Sequence, residues 1–223
     1  MATRVGTVLT VNSAQSHVGR GVSAPTTGID KRPIDGAVAV RAPGPRRGGL
    51  GSGLVGDVIG NSKFHGGDDQ AVYAYAREDL DAWETELDRE LANGMFGENV
   101  TTSGVEVTTA VIGERWRIGS EGLLLEVTSP RTPCKTFEAK LGIDGWIKTF
   151  THGGTPGAYL RVLEPGTLRG GDAIEVVDRP DHGVTIGVVY RAMMLEPKMM
   201  PDILIADALP EKIKAKARKR AGA

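Results

Sequence analysis

The 223-residue sequence contains a single cysteine, Cys134. One thiol cannot make an intramolecular disulfide, a cysteine-based zinc cluster or an all-cysteine iron–sulfur centre, each of which needs several thiolates. Electrons for any redox chemistry would have to arrive from elsewhere. Long apolar runs are also missing: no window of about eighteen apolar residues occurs, which argues against a membrane-spanning helix. The first residues, Met1-Ala2-Thr3-Arg4-Val5, lack the apolar stretch of a secretory signal, so a cytoplasmic location is expected. Net charge is nearly absent as well, at −1 with a pI near 6.4, and such a balance gives no global field for nucleic acid or anionic lipid. Any anion site must be local.

Histidine is sparse. His17, His65, His152 and His182 form no i, i+4 pair and no H-E-x-x-H, so a histidine metal site would have to be assembled wholly by the fold. The basic tail Lys212, Lys214, Lys216, Arg218, Lys219 and Arg220 lacks the interleaved aromatics of single-strand binders. Its expected role is to complement a helix dipole and stay solvated. Gly51-Ser52-Gly53-Leu54-Val55-Gly56 matches G-x-G-x-x-G, yet it follows Pro43, Pro45, Arg46 and Arg47 rather than an apolar strand. Without the strand–turn–helix context the match does not indicate a dinucleotide site.

What is abundant is turn chemistry. Thirty-one glycines and twelve prolines separate short apolar runs, in a chain whose 40% apolar content supports an ordinary core. The runs 5–11, 37–40, 71–75, 123–127, 159–163 and 173–177 read as strands. Between Arg77 and Leu91 the residues Leu80, Trp83, Leu87 and Leu91 recur at helical spacing, predicting one amphipathic helix packed on a β body. After Pro180 the pattern turns helical over 184–194 and 200–209, and Pro210 is placed to start a last helix through Arg220. This change predicts a mainly β body over 1–180 and a small helical appendage over 181–223.

Three short stretches carry chemistry. In Ser129-Pro130-Arg131-Thr132-Pro133-Cys134-Lys135-Thr136-Phe137 two prolines predict a stiff, non-helical loop, and Arg131 and Lys135 bracket the thiol. Neighbouring positive charge favours the thiolate, which binds soft metals or attacks electrophiles. A lone cysteine is equally at home as a small buried apolar group. Lys63-Phe64-His65-Gly66-Gly67-Asp68-Asp69 offers an imidazole, two flexible peptides and two carboxylates. Phe96-Gly97-Glu98-Asn99-Val100 is a turn whose amide can both donate and accept, as recognition of a heterocycle edge requires. Taken singly, each of the last two also reads as ordinary turn chemistry. The glycine-rich stretch 42–53 reads either as a solvated surface loop or as a rim whose arginines meet substrate or partner.

Taken in order, Thr27-Gly28-Ile29 with Lys31 and Pro33, Gly53-Leu54-Val55-Gly56-Asp57, Lys63-Phe64-His65-Gly66-Gly67, Gly97-Glu98-Asn99, Pro130-Arg131-Thr132-Pro133-Cys134 and Gly157-Ala158-Tyr159-Leu160-Arg161-Val162 resemble the MOSC domain. That family is named for the C-terminal domain of molybdenum cofactor sulfurases, and the likeness is to its YiiM-like bacterial branch. It runs from about Val5 to Val177, and the tail resembles the three-helix appendage of that branch.

The resemblance implies a β-barrel that binds the molybdenum cofactor, molybdopterin, with Cys134 as the protein ligand of molybdenum. It implies reduction of small N-hydroxylated compounds by electrons from a separate flavin and iron–sulfur reductase. Arg131 is then the candidate for the cofactor phosphate, with Lys31 and Arg161 adding charge, and Thr132 lies in the same cofactor-binding loop. His65, Asp68, Asn99, Gly66 and Gly67 become candidate contacts to the pterin or the substrate, and His65 a candidate proton donor. His152 stands where the family often carries an arginine. Pyridoxal phosphate, nucleic acid and membrane are not expected as partners, and a homodimer is compatible with the sequence. A persulfide carrier using Cys134, or a non-catalytic cofactor-delivery protein, fits the same thiol.

Overall fold

The computed structural model describes residues 3–14, 17–18 and 26–222, with side chains from 6–14 and 27–222. The readings placed on Met1, Ala2 and the His17 side chain lie outside the described residues. Chain order gives β1 (Thr3–Ser13), β2 (His17–Val18), β3 (Thr26–Thr27), β4 (Arg32–Ile34), β5 (Val38–Val40), β6 (Val72–Ala76), α1 (Arg77–Leu87) and β7 (Val100–Ser103). There follow β8 (Arg115–Ile118), β9 (Leu123–Pro130), α2 (Lys135–Leu141), α3 (Trp146–Gly153), β10 (Ala158–Glu164), β11 (Gly166–Leu168) and β12 (Ala173–Asp178). The chain ends in α4 (Ile186–Met194), a 3-10 helix over Pro197–Ile205 and α5 (Glu211–Ala221).

Seven strands close a barrel in the order β12-β8-β9-β10-β6-β7-β1, because β1 pairs back onto β12 while β4 hangs on its far end. The long strand β1 serves three partners by shifting register between Arg4 and Gly6 and again between Val8 and Thr10. Closure leaves no edge at that seam. Strand β6 runs parallel to β7, which demands a crossover, and α1 with the loop after it supplies one. Every residue of β9 is buried, since one face fills the barrel and α4 lies against the strand.

Two apolar cores result. The first joins barrel residues such as Val8, Trp116, Leu125 and Ile174 to Ile186, Val189, Ile203, Leu209 and Ile213 from the helices beyond residue 180. The second lies outside the barrel and is largely aromatic, built from Tyr73, Tyr75, Trp83, Phe96, Phe137, Trp146 and Phe150 with Leu80, Leu91 and Leu141. With Tyr159 packed against it, this cluster takes eight of the chain's three tryptophans, four tyrosines and four phenylalanines, so a sequence poor in aromatics concentrates them in one place. Its rings meet edge to face, with centroids 4.9 Å apart for Trp83 on Trp146 and 5.0 Å for Phe96 on Phe137.

The expected β-barrel with a packed helix is present, with more helix than a mainly β reading foresees. Helix α1 stops at Leu87 rather than continuing to Leu91, because Asp88 turns left-handed at φ 47°. Leu91 nevertheless reaches the predicted apolar face, its N–H held by Glu84 Oε1 at 2.7 Å and its carbonyl by Arg77 at 2.8 Å. The segment after β9 is a loop only from Arg131 to Cys134, since Pro130 ends the strand and α2 begins at Lys135. Residues 200–209 are not an α-helix: Pro197 and Pro201 remove amide donors, and the tighter 3-10 winding over Pro197–Ile205 takes their place. No helix among the described residues is long and apolar enough to cross a membrane.

Candidate functional site

A cleft of about 1270 Å³ opens where the loops at one end of the barrel meet α2 and the C-terminal helices. Its walls include the segments around Thr27, Arg46, His65, Gly97 and Arg131, and the α4 and α5 residues Met193, Met194, Lys212 and Lys216.

Cys134 is the N-cap residue of α2, half-buried at the cleft and packed against the aromatic core. Burial by itself pushes the thiol up. A hydrogen bond from the His65 imidazole, the charge of Arg131 and the Phe137 backbone N–H outweigh it and hold the thiol near 7. The sulfur is therefore substantially thiolate at neutral pH. His65 is brought there by a tight turn in which the N–H groups of Phe64 and His65 both donate to the Asn61 carbonyl, at 3.2 and 3.1 Å. Glycine is required on either side of the next two peptides. Gly66 and Gly67 have φ of 81° and 87°, and a Cβ would stand 2.7 Å from the Gly51 carbonyl oxygen or 2.8 Å from the Arg46 nitrogen.

Arg131 is 5% exposed, and its guanidinium carbon lies 3.8 Å from the centre of the Phe137 ring, 5.6 Å from Tyr73 and 5.9 Å from Phe150. The ring faces and a hydrogen bond to the Tyr159 hydroxyl are its compensation for lost water. Its Nη1 is fully buried without a hydrogen-bond partner among the described residues. A buried, charged donor left open beside a cleft is costly unless a ligand completes it. Thr132 and Cys134 line the same stretch.

The remaining sequence candidates are placed differently. Lys31 donates from Nζ to Asp57 Oδ1 at 2.5 Å, with both side chains buried. Burial lowers the Lys31 ammonium, and Asp57 pulls it back up. Asn99 donates to Asp57 Oδ2 at 2.9 Å and accepts the Tyr73 N–H at 3.1 Å. Both residues touch the cleft wall, but their polar groups are spent on the scaffold. Glu98 works similarly, accepting from the N–H groups of Gly94 and Phe96 and the Thr101 hydroxyl to shape the turn.

Arg161 is clamped by Asp69 and Glu126, at 2.5 and 3.3 Å. Its remaining reach goes to the Ala208 carbonyl, tying the barrel to the C-terminal segment. Asp68 accepts the Gly44 N–H at 2.8 Å and Gly67 donates to the Gly51 carbonyl at 3.0 Å, which anchors the 42–53 loop. Arg46 of that loop lines the cleft, and Arg47 is exposed elsewhere. His152 ends exposed on α3, away from the cleft lining, so it supplies no charge there. Residues 51–60 form turns with no helix, so the glycine pattern there has no dinucleotide geometry.

Sequence reasoning missed Asp57, Tyr159 and the two α5 lysines as site-shaping residues. A lysine destined for burial needs a counter-ion, and that signal could have drawn attention to Asp57 within Gly53-Leu54-Val55-Gly56-Asp57. The spacing of Lys212 and Lys216 at i, i+4 puts them on one stripe of α5.

The MOSC domain model matches residues 61–175, just over half of the chain. The protein YflK of Bacillus subtilis is 32% identical over 165 residues, covering 74% of this chain and 70% of YflK. A protein of Gibberella moniliformis named reductase is 29% identical over 178 residues, which span 78% of this chain and 30% of that longer protein. Among solved structures, YiiM from Geobacillus stearothermophilus superposes with a TM-score of 0.76 at 24% identity, over 96% of this chain and 98% of that one. The family match takes in β6 to β11 and Cys134 at the start of α2, and with it the chain belongs to the MOSC domain family.

Proposed function

We propose that the cleft holds a molybdenum cofactor on Cys134 and that the protein reduces small N-hydroxylated bases, of the hydroxylaminopurine or amidoxime kind. The observation that carries this reading is that one loop of the cleft holds both the Cys134 thiol, hydrogen-bonded by His65, and a buried Arg131 Nη1 with no partner among the described residues. A thiolate is a soft ligand suited to molybdenum, and an open guanidinium N–H suits a phosphate oxygen. The residues present fit the group. When bound, the cofactor supplies a metal that can change oxidation state by two electrons.

The chain's own residues do the rest. Arg131 holds the anionic end, Cys134 fixes the metal end, and the peptides around Gly66 and Gly67 let backbone approach closely. His65, beside the sulfur, delivers a proton to the departing hydroxyl. The overall change is R–NH–OH plus two electrons and two protons giving R–NH2 and water, so the N–O bond breaks and an N–H and an O–H bond form. The electrons come from a separate flavin and iron–sulfur reductase, as one cysteine cannot hold a cluster. The name of the Gibberella relative supports a reductive reaction.

Protein made in a molybdenum-replete host is expected to carry near-stoichiometric molybdenum and pterin. It is expected to reduce a hydroxylaminopurine with reduced viologen and to leave NADH untouched until the reductase is added. Cys134→Ser removes the metal and keeps the fold, since a hydroxyl is a hard ligand of nearly the same size. Folded protein carrying sulfane sulfur but neither metal nor pterin would establish the persulfide-carrier reading instead. Fully loaded protein inert toward several N-hydroxylated compounds would leave a delivery protein.

A further inference from the structure

Seven cationic side chains line the cleft against two carboxylates, Asp68 and Asp69, in a chain whose net charge is −1. Three of the seven are already engaged: Lys31 with Asp57, Arg161 with Asp69 and Glu126, and Arg131 with the aromatic faces. The other four, Arg46, Lys135, Lys212 and Lys216, make no ion pair among the described residues.

Helix α5 shows that this is selective. Lys214 bonds the Asp207 carbonyl and pairs with Glu211, and Arg218 pairs with Glu211. Lys212 and Lys216, one turn apart on the cleft-facing stripe, are left free and exposed. Ile213 and the α4 residues Met193 and Met194 line the same cleft, so the two exposed ammonium groups share it with apolar side chains. Flexible thioethers accommodate a flat ring well. The cleft, at about 1270 Å³, also exceeds the roughly 300–1,000 Å³ that a single small ligand occupies, so it has room for a second molecule beside the cofactor.

Resting on the reductase reading above, we propose that Lys212 and Lys216 bind the phosphate of the substrate, which is an N-hydroxylated nucleoside monophosphate rather than the free base. The base lies against Met193 and Met194 with its hydroxylamino group toward Cys134. The phosphate ester is untouched, and the reaction remains cleavage of N–O by two electrons and two protons from the same donor. An acidic protein surface would engage Lys219 and Arg220 as readily. Lys212 and Lys216 instead share the cleft with apolar side chains, as a small amphiphilic anion requires.

The test uses the cofactor-loaded chain with reduced viologen, comparing 6-hydroxylaminopurine with its ribonucleoside 5′-monophosphate. The nucleotide is expected to have a kcat/KM about tenfold higher, and the double variant Lys212→Gln/Lys216→Gln to lose most of that ratio. The Lys219→Gln/Arg220→Gln control keeps it. A second readout is independent of turnover: adenosine 5′-monophosphate binds more tightly than adenosine, and this difference shrinks with added salt and in the same double variant. Equal kcat/KM for base and nucleotide, with active enzyme, overturns the proposal and leaves the reductase reading standing. Phosphate-dependent binding without reduction of either compound overturns the reductase reading and leaves the lysines' assignment. A double variant that keeps the nucleotide ratio with viologen but slows only reductase-driven turnover assigns the lysines to an acidic electron donor and overturns the proposal.

Discussion

Two walls of the cleft use similar residues to opposite ends. On the first, Asp57 accepts from Lys31, the Ala14 N–H, Ser52 and Asn99, and both of its oxygens are used twice. On the second, Arg131 is just as buried, yet its Nη1 has no such acceptor among the described residues and its neighbour is a half-buried thiol. Lysine, asparagine and arginine all look like ligand-binding side chains in a sequence. The difference between the walls is whether the protein itself satisfies the charge: where it does, the residues belong to the scaffold, and where it does not, a buried donor is left without an acceptor among the described residues.

The largest effect that tests this contrast is on the satisfied wall. Asp57→Ala strands the Lys31 ammonium in a buried site and orphans Ser52 and Asn99, and breaking a buried pair in this way costs about 3–5 kcal/mol. Urea unfolding of the variant against the parent measures it. A loss under about 1 kcal/mol, the scale of an exposed pair, would show that the network is not the scaffold described here.

Next in size is the thiol. In cofactor-free protein Cys134 is expected to react with iodoacetamide along a pH profile centred near 7, below the ordinary thiol value of about 8.5. The signs are definite. Burial raises the thiol, while His65, Arg131 and the Phe137 N–H lower it by more, so the thiolate is present above pH 7 and lost as pH falls through it. The stability that comes from this shift is complete above the unfolded value and fades over the same fall. His65→Ala removes the leading favourable contribution and moves the midpoint upward. An unchanged midpoint would mean that the imidazole does not reach the sulfur.

How much of this was legible in the sequence follows the range of the forces involved. Apolar runs such as Leu123–Val127 and Ala173–Val177 identify β9 and β12, because strand burial leaves a local pattern. Strands β7 and β8 leave no such pattern, since three of the four residues of Val100–Ser103 are threonine or serine and Arg115–Ile118 alternates with arginine. Helices α2 and α3, of seven and eight residues, are too short to show a period, and Gly142 and Gly145 interrupt them. Barrel closure between β1 and β12 joins chain segments far apart and could be expected only from the resemblance. At the site, charge bracketing drew attention to Arg131 and Cys134. The rings that desolvate Arg131 come from Tyr73, Phe137 and Phe150 on three elements, and no local spacing reveals that.

The smallest effect is the most discriminating. Arg131→Met removes a buried charge, which elsewhere in a protein core is a severe change, but here the charge has no carboxylate partner among the described residues and keeps one donor unsatisfied. What the guanidinium gains from ring faces is about 0.5–2 kcal/mol, and an unsatisfied buried donor costs about 1–3 kcal/mol, so the two nearly cancel. Methionine fills similar volume among the same rings with a favourable sulfur–aromatic contact. The variant is therefore expected to unfold within about 1 kcal/mol of the parent while its cofactor content falls sharply and the Cys134 midpoint rises. Asp57→Ala should do the reverse, losing stability far more than it alters the intrinsic reactivity of the thiol in whatever fraction stays folded. If Arg131→Met instead destabilises by several kcal/mol with cofactor content intact, Arg131 belongs to the scaffold, the two walls do the same work, and the open guanidinium is not a ligand site.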